Sequence, residues 1–345
     1  MEVRLAFVGF GNVARAFARL LDSRRDLLDS QYSVQFRATA ISTARHASVI
    51  ASQGIDPLEA ADLVEHGQNL TSIRGVVECA GSLDMIERCD ADVVFETSPL
   101  NPTDGEPAVT HIRRALERGI NVVTANKGPI AFAYRTLKGT AQERGARFRF
   151  EGTVMDGTPV FNLVESCLPG ARVTGFSGVL NSTTNLVLTR MEQGASFDEA
   201  LSEARALGIT ETDSAYDIDG WDAAVKTVAL ANVLMNADAR PDDVERRGIR
   251  EITVQELKAA KGAGETVRLI SRAEMTRSGL ELSTSPERVA LASPFGAARG
   301  TSNVLVLNTD LMGTIAILET DPGVEQTAYA LLSDMIAICA SLREA

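Results

Sequence analysis

Lys226 stands inside an otherwise apolar run, AAVKTVALANVLM (223–235), four residues after Asp222 and just behind the acid-rich stretch GITETDSAYDIDG (208–220). A second lysine, Lys127, lies in NVVTANKGPIA (121–131), close to the C-terminal end of a β-rich run. Such lysines suit chemistry at a carbonyl. Hydride addition creates an alkoxide, which needs a proton donor and positive charge beside the oxygen. A lysine supplies both when partial burial or a neighbouring cation lowers its pKa, and two lysines at one site would each lower the other's. Glu211, Asp213, Asp217, Asp219 and Asp222 offer carboxylates for the ammonium of an amino-acid substrate. The same residues also have plainer readings. Asp222 and Lys226 could form an exposed helical ion pair worth ~0.3–0.5 kcal/mol. Asp219 could cap the following helix, and Asp213 could serve a turn. The NSTTN run (181–185) could meet a substrate with Asn181, Thr183, Thr184 and Asn185, or could cap the helix that starts there.

A second motif lies at the N-terminus. VGFGNVARAF places Gly9 and Gly11 directly after the first strand, with Ala14 in the third small position. Gly9 permits the tight turn, Gly11 lets backbone approach a pyrophosphate, and Ala14 allows helix and strand to pack closely. Asn12 and Val13 begin the helix whose N-terminus faces the phosphate charge. At the end of the second strand, where an acid would hold a ribose 2′-hydroxyl, AISTARH has Ser42 and Thr43, followed by Arg45. A hydroxyl with a guanidinium suits a 2′-phosphate and favours NADP over NAD. The alternative is that Arg45 decorates a solvated turn.

The elements that must position these residues alternate. Strand patterns at 3–9, 33–41, 91–97, 120–126 and 146–150 are separated by helical patterns at 12–28, 56–67, 82–88 and 105–118 and another after Tyr134. This β-α-β alternation predicts a parallel sheet covered on both faces. Beyond it come a strand at 176–182, helices at 184–193, 197–207 and 221–236, further strands within 286–319, and a closing helix. The fold class is α/β: a Rossmann dinucleotide-binding domain plus a mixed α/β domain for substrate and dimerisation. The pattern shift places the first domain at 1–135, rejoined by a C-terminal helix at 320–345, and the second at 136–319.

Composition narrows the functions. The 345 residues suit two domains, and 45% apolar residues are ample for two cores. A net charge of −12 with only 5% aromatic residues argues against a nucleic-acid partner. Four scattered cysteines without a CxxC pair, and three histidines, make a zinc site improbable and point to reduced thiols in a cytoplasmic protein. No apolar stretch reaches the ~20 residues that span a bilayer, and the N-terminus reads as strand and turn, not as a signal peptide.

NVVTANKGPIA (121–131), EGTVMDGTPV (151–160) and the block from GVLNSTTN to WDAAVKT (178–227) together resemble the homoserine dehydrogenase family, in order over most of residues 1–235 with a weaker echo near 300–340. The resemblance implies an enzyme of amino-acid biosynthesis (the aspartate pathway to threonine and methionine) that interconverts L-homoserine and L-aspartate 4-semialdehyde with NAD(P). It implies Lys226 as the leading proton-transfer residue and Lys127 as a second catalytic residue near nicotinamide and substrate. It further implies Glu211, Asp217 and Asp222 at the substrate, and Thr97 and Lys127 at the cofactor. Glu151, with the backbone of Val154, Asp156 and Thr158, would hold Na+ or K+. A homodimer through the second domain's sheet is expected. The sequence ends at Ala345, which implies a short form without a regulatory ACT domain. Three segments depart from the family pattern. Ser182 replaces the glycine of NGTTN, ETDS replaces an acid–proline step, and ETDPGVEQTAY (319–329) replaces a glycine-rich loop. They keep open a paralogue acting on another small hydroxy compound. A nucleotide sensor without catalysis is a third reading, but it would have no need for both lysines.

Overall fold

The protein is described by a computed structural model over residues 1–210 and 213–344. It divides into two units, Met1–Pro159 with Gly323–Ala345, and Val160–Pro322.

Unit 1 begins with β1 (Glu2–Val8), where Val3, Leu5, Ala6, Phe7 and Val8 are all buried. A strand covered on both faces loses hydrophobic alternation and becomes a continuous apolar run. Then come α1 (Asn12–Ser23), α2 (Arg25–Tyr32), β2 (Gln35–Ser42), β3 (Ser48–Ile55), α3 (Pro57–Glu65), β4 (Val77–Cys79) and α4 (Ser82–Arg88). They are followed by β5 (Val93–Glu96), α5 (Ala108–Glu117), β6 (Asn121–Thr124), α6 (Lys127–Arg144) and β7 (Phe148–Arg149). The sheet order is β4-β3-β2-β1-β5-β6-β7. From β2 to β7 neighbours run parallel, whereas β3 and β4 are antiparallel additions.

Period-2 alternation divides the strand residues between two cores. Leu5, Phe7, Val93, Phe95 and Val123 pack with α1, α3 and the C-terminal helix (Val324–Glu344). Ala6, Val8, Val94 and Val122 pack with Met85, Ile86, Ile112, Leu116 and Leu137 of α4, α5 and α6. The Phe7 and Phe95 rings stack at 5.4 Å between centroids, and Phe17 of α1 lies 4.7 Å from Phe95.

Three local expectations change. The helix expected over 12–28 breaks at Arg24, which leaves helical geometry between α1 and α2. The helix expected after Tyr134 starts at Lys127, because Pro129 sits in the first turn, where its missing N–H has no helical acceptor to lose. Residues 136–159, assigned by pattern to the second domain, lie in unit 1: β7 pairs with β6, and the Glu151 N–H donates to Asp334 of the C-terminal helix at 2.8 Å.

Unit 2 contains α7 (Phe161–Cys167), β8 (Val173–Val179), α8 (Ser182–Glu192), α9 (Phe197–Ala206), α10 (Ser214–Ile218), α11 (Trp221–Leu234) and β9 (Glu245–Arg246). It continues with α12 (Val254–Gly262), β10 (Glu265–Thr276), β11 (Gly279–Ala290), α13 (Pro294–Ala297), β12 (Asn303–Thr309) and β13 (Gly313–Glu319). The sheet order is β13-β12-β8-β10-β11-β9, antiparallel except for β11 with β9. Leu186, Val187 and Leu188 of α8 and Leu257 of α12 pack with Val267 and Leu269 of β10. Fully buried Arg268 on the same strand pairs with Glu192 at 2.7 Å, and burial lowers its guanidinium pKa.

All four cysteines are free; Cys79, Cys89 and Cys339 are buried and Cys167 is exposed. Burial raises the thiol pKa of the first three, that of Cys339 to about 11. Titration of the native protein with a thiol reagent near pH 8 is therefore expected to label Cys167 quickly and the other three only on unfolding. Rapid labelling of a second thiol would contradict this burial.

Candidate active site

The end of β1 forces a glycine. Gly9 has φ +84°, and a Cβ there would lie 2.7 Å from the Ser98 nitrogen. The Thr97 hydroxyl donates to the Gly9 carbonyl at 2.8 Å, tying the end of β5 to the glycine loop. At Gly11 a Cβ would meet nothing within 4 Å, and no side chain caps α1. Backbone N–H groups at an uncapped helix start, beside space that even a methyl group would enter, make a cradle that fits a dinucleotide pyrophosphate. Ala14 is fully buried where helix meets sheet. Val13 packs partly into the core, and Asn12 Oδ1 accepts from Arg15 Nη2 at 2.8 Å. Arg15 also donates to the Phe10 carbonyl at 3.0 Å, which further fixes the loop.

At the end of β2 the expected residues separate. Ser42 is fully buried, with its hydroxyl 2.7 Å from Ser48 Oγ and 2.8 Å from Ser82 Oγ, so it braces the β2–β3 hairpin internally. Thr43 accepts from the His46 N–H at 2.6 Å within the same turn. Arg45 is exposed on that turn, with no hydrogen bond or ion pair among the described residues.

Half-buried Lys127 is the first residue of α6. Asn126 caps the helix, its Oδ1 accepting from the Gly128 N–H at 3.0 Å. Sequence reasoning missed the carboxylate beneath this region. Glu96, the last residue of β5, is fully buried; it accepts from the Ser98 N–H at 3.2 Å and from the Ser98 hydroxyl, and it lies 3.6 Å from His111. The available signal was an acid closing the buried run ADVVFE, at the strand end where open α/β sheets bind ligands.

Of the proposed cation set, Glu151 and Val154 are buried, Asp156 has φ +42°, and the Thr158 N–H donates to the Met155 carbonyl at 2.8 Å. Asp156 Oδ1 accepts from the Thr327 hydroxyl at 2.9 Å. No cluster of three or more His, Cys, Asp or Glu suited to a metal occurs among the described residues.

In unit 2, Asn181 organises the acids. Its Oδ1 caps α8 by accepting from the Thr184 N–H at 2.7 Å. Its Nδ2 donates to Asp217 at 2.7 Å and to Asp222 at 2.8 Å. Both carboxylates are buried, at 2% and 3% exposure, which excludes the exposed ion pair as an account of Asp222 and Lys226. Lys226 Nζ donates to the Leu180 carbonyl at 2.8 Å and stands 3.4 Å from Asp222 Oδ2, with the side chain 16% exposed. Buried acids, one shared amide and a lysine held at its tip make a polar centre that can bind an ammonium and move a proton.

The other polar residues of the region serve the fold. Asp213 caps α10, its side chain accepting from the Ala215 N–H at 3.0 Å. Asp219 caps no following helix: Gly220 takes that place, and Asp219 pairs with Arg250 at 2.9 Å. The Thr183 and Thr184 hydroxyls donate to the Ile209 and Asn181 carbonyls, and Asn185 donates to the Ala298 and Ser302 carbonyls. Ser182 hydrogen bonds with Asn303, which in turn donates to Glu319 at 2.8 Å, so two of the unusual segments are linked. Glu211 lies outside the described residues.

Comparison with known proteins gives the family. Residues 9–151 match the family model for the NAD-binding domain of homoserine dehydrogenase, and residues 159–336 match the homoserine dehydrogenase model. An NAD(+)-dependent homoserine dehydrogenase of Pseudomonas canavaninivorans is 36% identical over 98% of this chain and 96% of its own length. A homoserine dehydrogenase of Methanocaldococcus jannaschii is 37% identical over 99% of both chains. The solved structure of a hyperthermophilic archaeal homoserine dehydrogenase in complex with NADPH superposes with a TM-score of 0.83 at 28% identity, covering 99% of this chain and 98% of its own. With residues 9–151 and 159–336 matched by the two family models and relatives aligned over nearly their full lengths, this chain belongs to the homoserine dehydrogenase family.

Proposed function

We propose that in this NAD(P)-dependent oxidoreductase Lys226 and Lys127 carry the proton and charge chemistry of L-homoserine and L-aspartate 4-semialdehyde interconversion. The observation that carries the reading is the Asn181–Asp217–Asp222–Lys226 cluster, in which buried acids and a fixed lysine converge within hydrogen-bond reach. Asp217 and Asp222 bind the substrate ammonium, since two buried carboxylates held side by side by Asn181 supply the negative charge that a desolvated ammonium needs. Lys226 gives a proton to the oxygen of the reduced aldehyde, or takes it when the alcohol is oxidised. Lys127, at the start of α6 in the dinucleotide unit, is the second catalytic residue of this reading and acts from the nicotinamide side. Bound nicotinamide supplies or accepts the hydride, with its pyrophosphate held by Gly9, Gly11, Asn12 and Val13. Unit 1 is accordingly the dinucleotide domain, and unit 2 the substrate domain.

The preferred cofactor in this reading is NADP. No acid closes β2, Ser42 is internal, and exposed Arg45 is left to meet a 2′-phosphate. Glu151, with the backbone at Val154, Asp156 and Thr158, is the proposed Na+ or K+ site. The protein acts in the cytoplasm as a homodimer built on the unit 2 sheet, where Met275 and Leu318 are exposed. No helix among the described residues is long and apolar enough to cross a membrane.

Initial-rate oxidation of L-homoserine with NADP and with NAD, followed by absorbance of the reduced nicotinamide, tests both claims. Turnover is expected, with the higher kcat/KM for NADP; Arg45→Ala should reduce that preference roughly tenfold, the loss of about one charge-assisted contact. Folded protein that binds NADPH but turns over homoserine with neither cofactor would sink the substrate assignment. Higher efficiency with NAD would overturn the role given to Arg45.

A further inference from the structure

Glu96 is a fully buried carboxylate that the chemistry above does not use. Around it the ends of two strands converge. On one side it accepts from the Ser98 N–H and hydroxyl, which fixes the turn after β5. That turn holds Thr97 on the Gly9 carbonyl and puts the Ser98 nitrogen where any side chain at Gly9 would collide with it. On the other side, the Thr124 hydroxyl, at the end of β6, lies 3.3 Å from Glu96 Oε2 and donates to the Glu96 carbonyl at 2.8 Å. Thr124 Oγ1 in turn accepts from the Asn126 N–H at 3.0 Å. Asn126 caps α6 ahead of Lys127, and its Nδ2 donates to the Ser98 carbonyl at 3.0 Å, closing the ring between the two strand ends. His111 of α5, itself buried, stands behind the carboxylate at 3.6 Å.

We infer that Glu96 is a positioning residue that sets the glycine loop and the Lys127 end of α6 in register, through Ser98 on one side and Thr124 on the other. The argument rests on the reading above for the roles of the glycine loop and Lys127. A buried carboxylate without donors is costly, so it recruits them, and here the donors are the turn residues that must not move. An isosteric amide keeps one acceptor oxygen but loses the charge that strengthens the Ser98 bonds, and it turns an N–H group toward Thr124 where an acceptor stood. Glu96→Gln therefore loosens both arms, whereas Ser98→Ala removes only the hydroxyl bond on the glycine-loop side and Thr124→Val only the bonds toward Lys127.

The test measures NADPH affinity by fluorescence titration, kcat for homoserine, and Tm, for the parent enzyme and the three variants. Glu96→Gln is expected to weaken NADPH binding about tenfold and to lower kcat about tenfold. Ser98→Ala should weaken NADPH binding with kcat nearly unchanged, and Thr124→Val should lower kcat with binding nearly unchanged. Variants that lose Tm alone, with both functional constants at parent values, would overturn the proposal. If Glu96→Gln does not fold, the split between Ser98→Ala and Thr124→Val decides: its presence supports the proposal and its absence overturns it. A parent enzyme that binds NADPH but does not turn over homoserine defeats the substrate reading instead. In that case weaker NADPH binding by Ser98→Ala still supports the role of Glu96 at the glycine loop, and unchanged binding removes it.

Discussion

Lys226→Ala is expected to lower homoserine turnover by roughly 10²–10⁴-fold, the range set by loss of a positioned general acid–base group. The reason lies in how the lysine is held. Its ammonium is tethered to the Leu180 carbonyl and to Asp222 on a helix whose other faces are packed, so water cannot take its place in a defined geometry. NADPH affinity should stay within about threefold, because the dinucleotide cradle is assembled from unit 1 residues. Lys226→Arg should not rescue the rate: a guanidinium remains protonated at neutral pH and cannot cycle a proton. Initial rates together with fluorescence titration separate the two effects. A variant retaining a third or more of the parent kcat would remove Lys226 from the chemistry and leave it as a buried structural partner of Asp222. A parallel fall in rate and NADPH affinity would place Lys226 in cofactor binding instead of proton transfer.

Asn181→Ala is expected to destabilise unit 2 severely and to weaken substrate binding together. One amide group donates to Asp217 and Asp222 at once, and its oxygen caps α8. Truncation removes a cap worth about 1 kcal/mol and deprives two buried carboxylates of a donor each, at about 1–3 kcal/mol apiece. A destabilisation of about 3–7 kcal/mol follows, which lowers Tm by roughly 6–28 °C for a domain of this size. The KM for homoserine should rise at least about tenfold as the carboxylates separate. Asn181→Asp should be worse, since a third carboxylate replaces the donor. Thermal melts and steady-state kinetics check both; an Asn181→Ala protein with parent Tm and KM would show that the two acids are held by other groups.

The parallel half of the fold was legible because its strands are covered on both faces and its helices are amphipathic: β1, β5 and β6 are short apolar runs, each ended by a polar turn. Strand β10 was illegible for the opposite reason. ETVRLISRAEMT carries Arg268 at a fully buried position, where Glu192 and the Ala298 carbonyl, both far away in sequence, make a charge acceptable. Strands β3 and β4 were hidden as well, since SVIASQGI mixes polar and apolar residues without strict alternation.

Lys226, Asp217 and Asp222 could be named from residue type and context. Asn181 could be read only as a substrate contact or a helix cap; it does cap α8, and its hold on Asp217 and Asp222 depends on partners 36 and 41 residues away that NSTTN alone does not reveal. Ser42 was misplaced because sequence position at a strand end does not reveal whether a hydroxyl turns outward or, as here, toward Ser48 and Ser82. Glu96 was passed over because its partners Ser98, His111 and Thr124 come together only when β5, α5 and β6 are side by side.

The helix formed by residues Val324–Glu344 supplies Leu331, Met335, Ile338 and Cys339 to the same core as Phe7 and Phe17. Order of synthesis then matters. The ribosome delivers β1 and α1 first, and the segment that covers them only after all of unit 2 has been made. A nascent chain carries one apolar face of its dinucleotide sheet uncovered throughout that interval, while residues 160–322 can already condense behind it. Chaperone dependence during translation should therefore be concentrated on the earliest strands, and a stalled chain lacking the last helix should be cleared by proteolysis of unit 1.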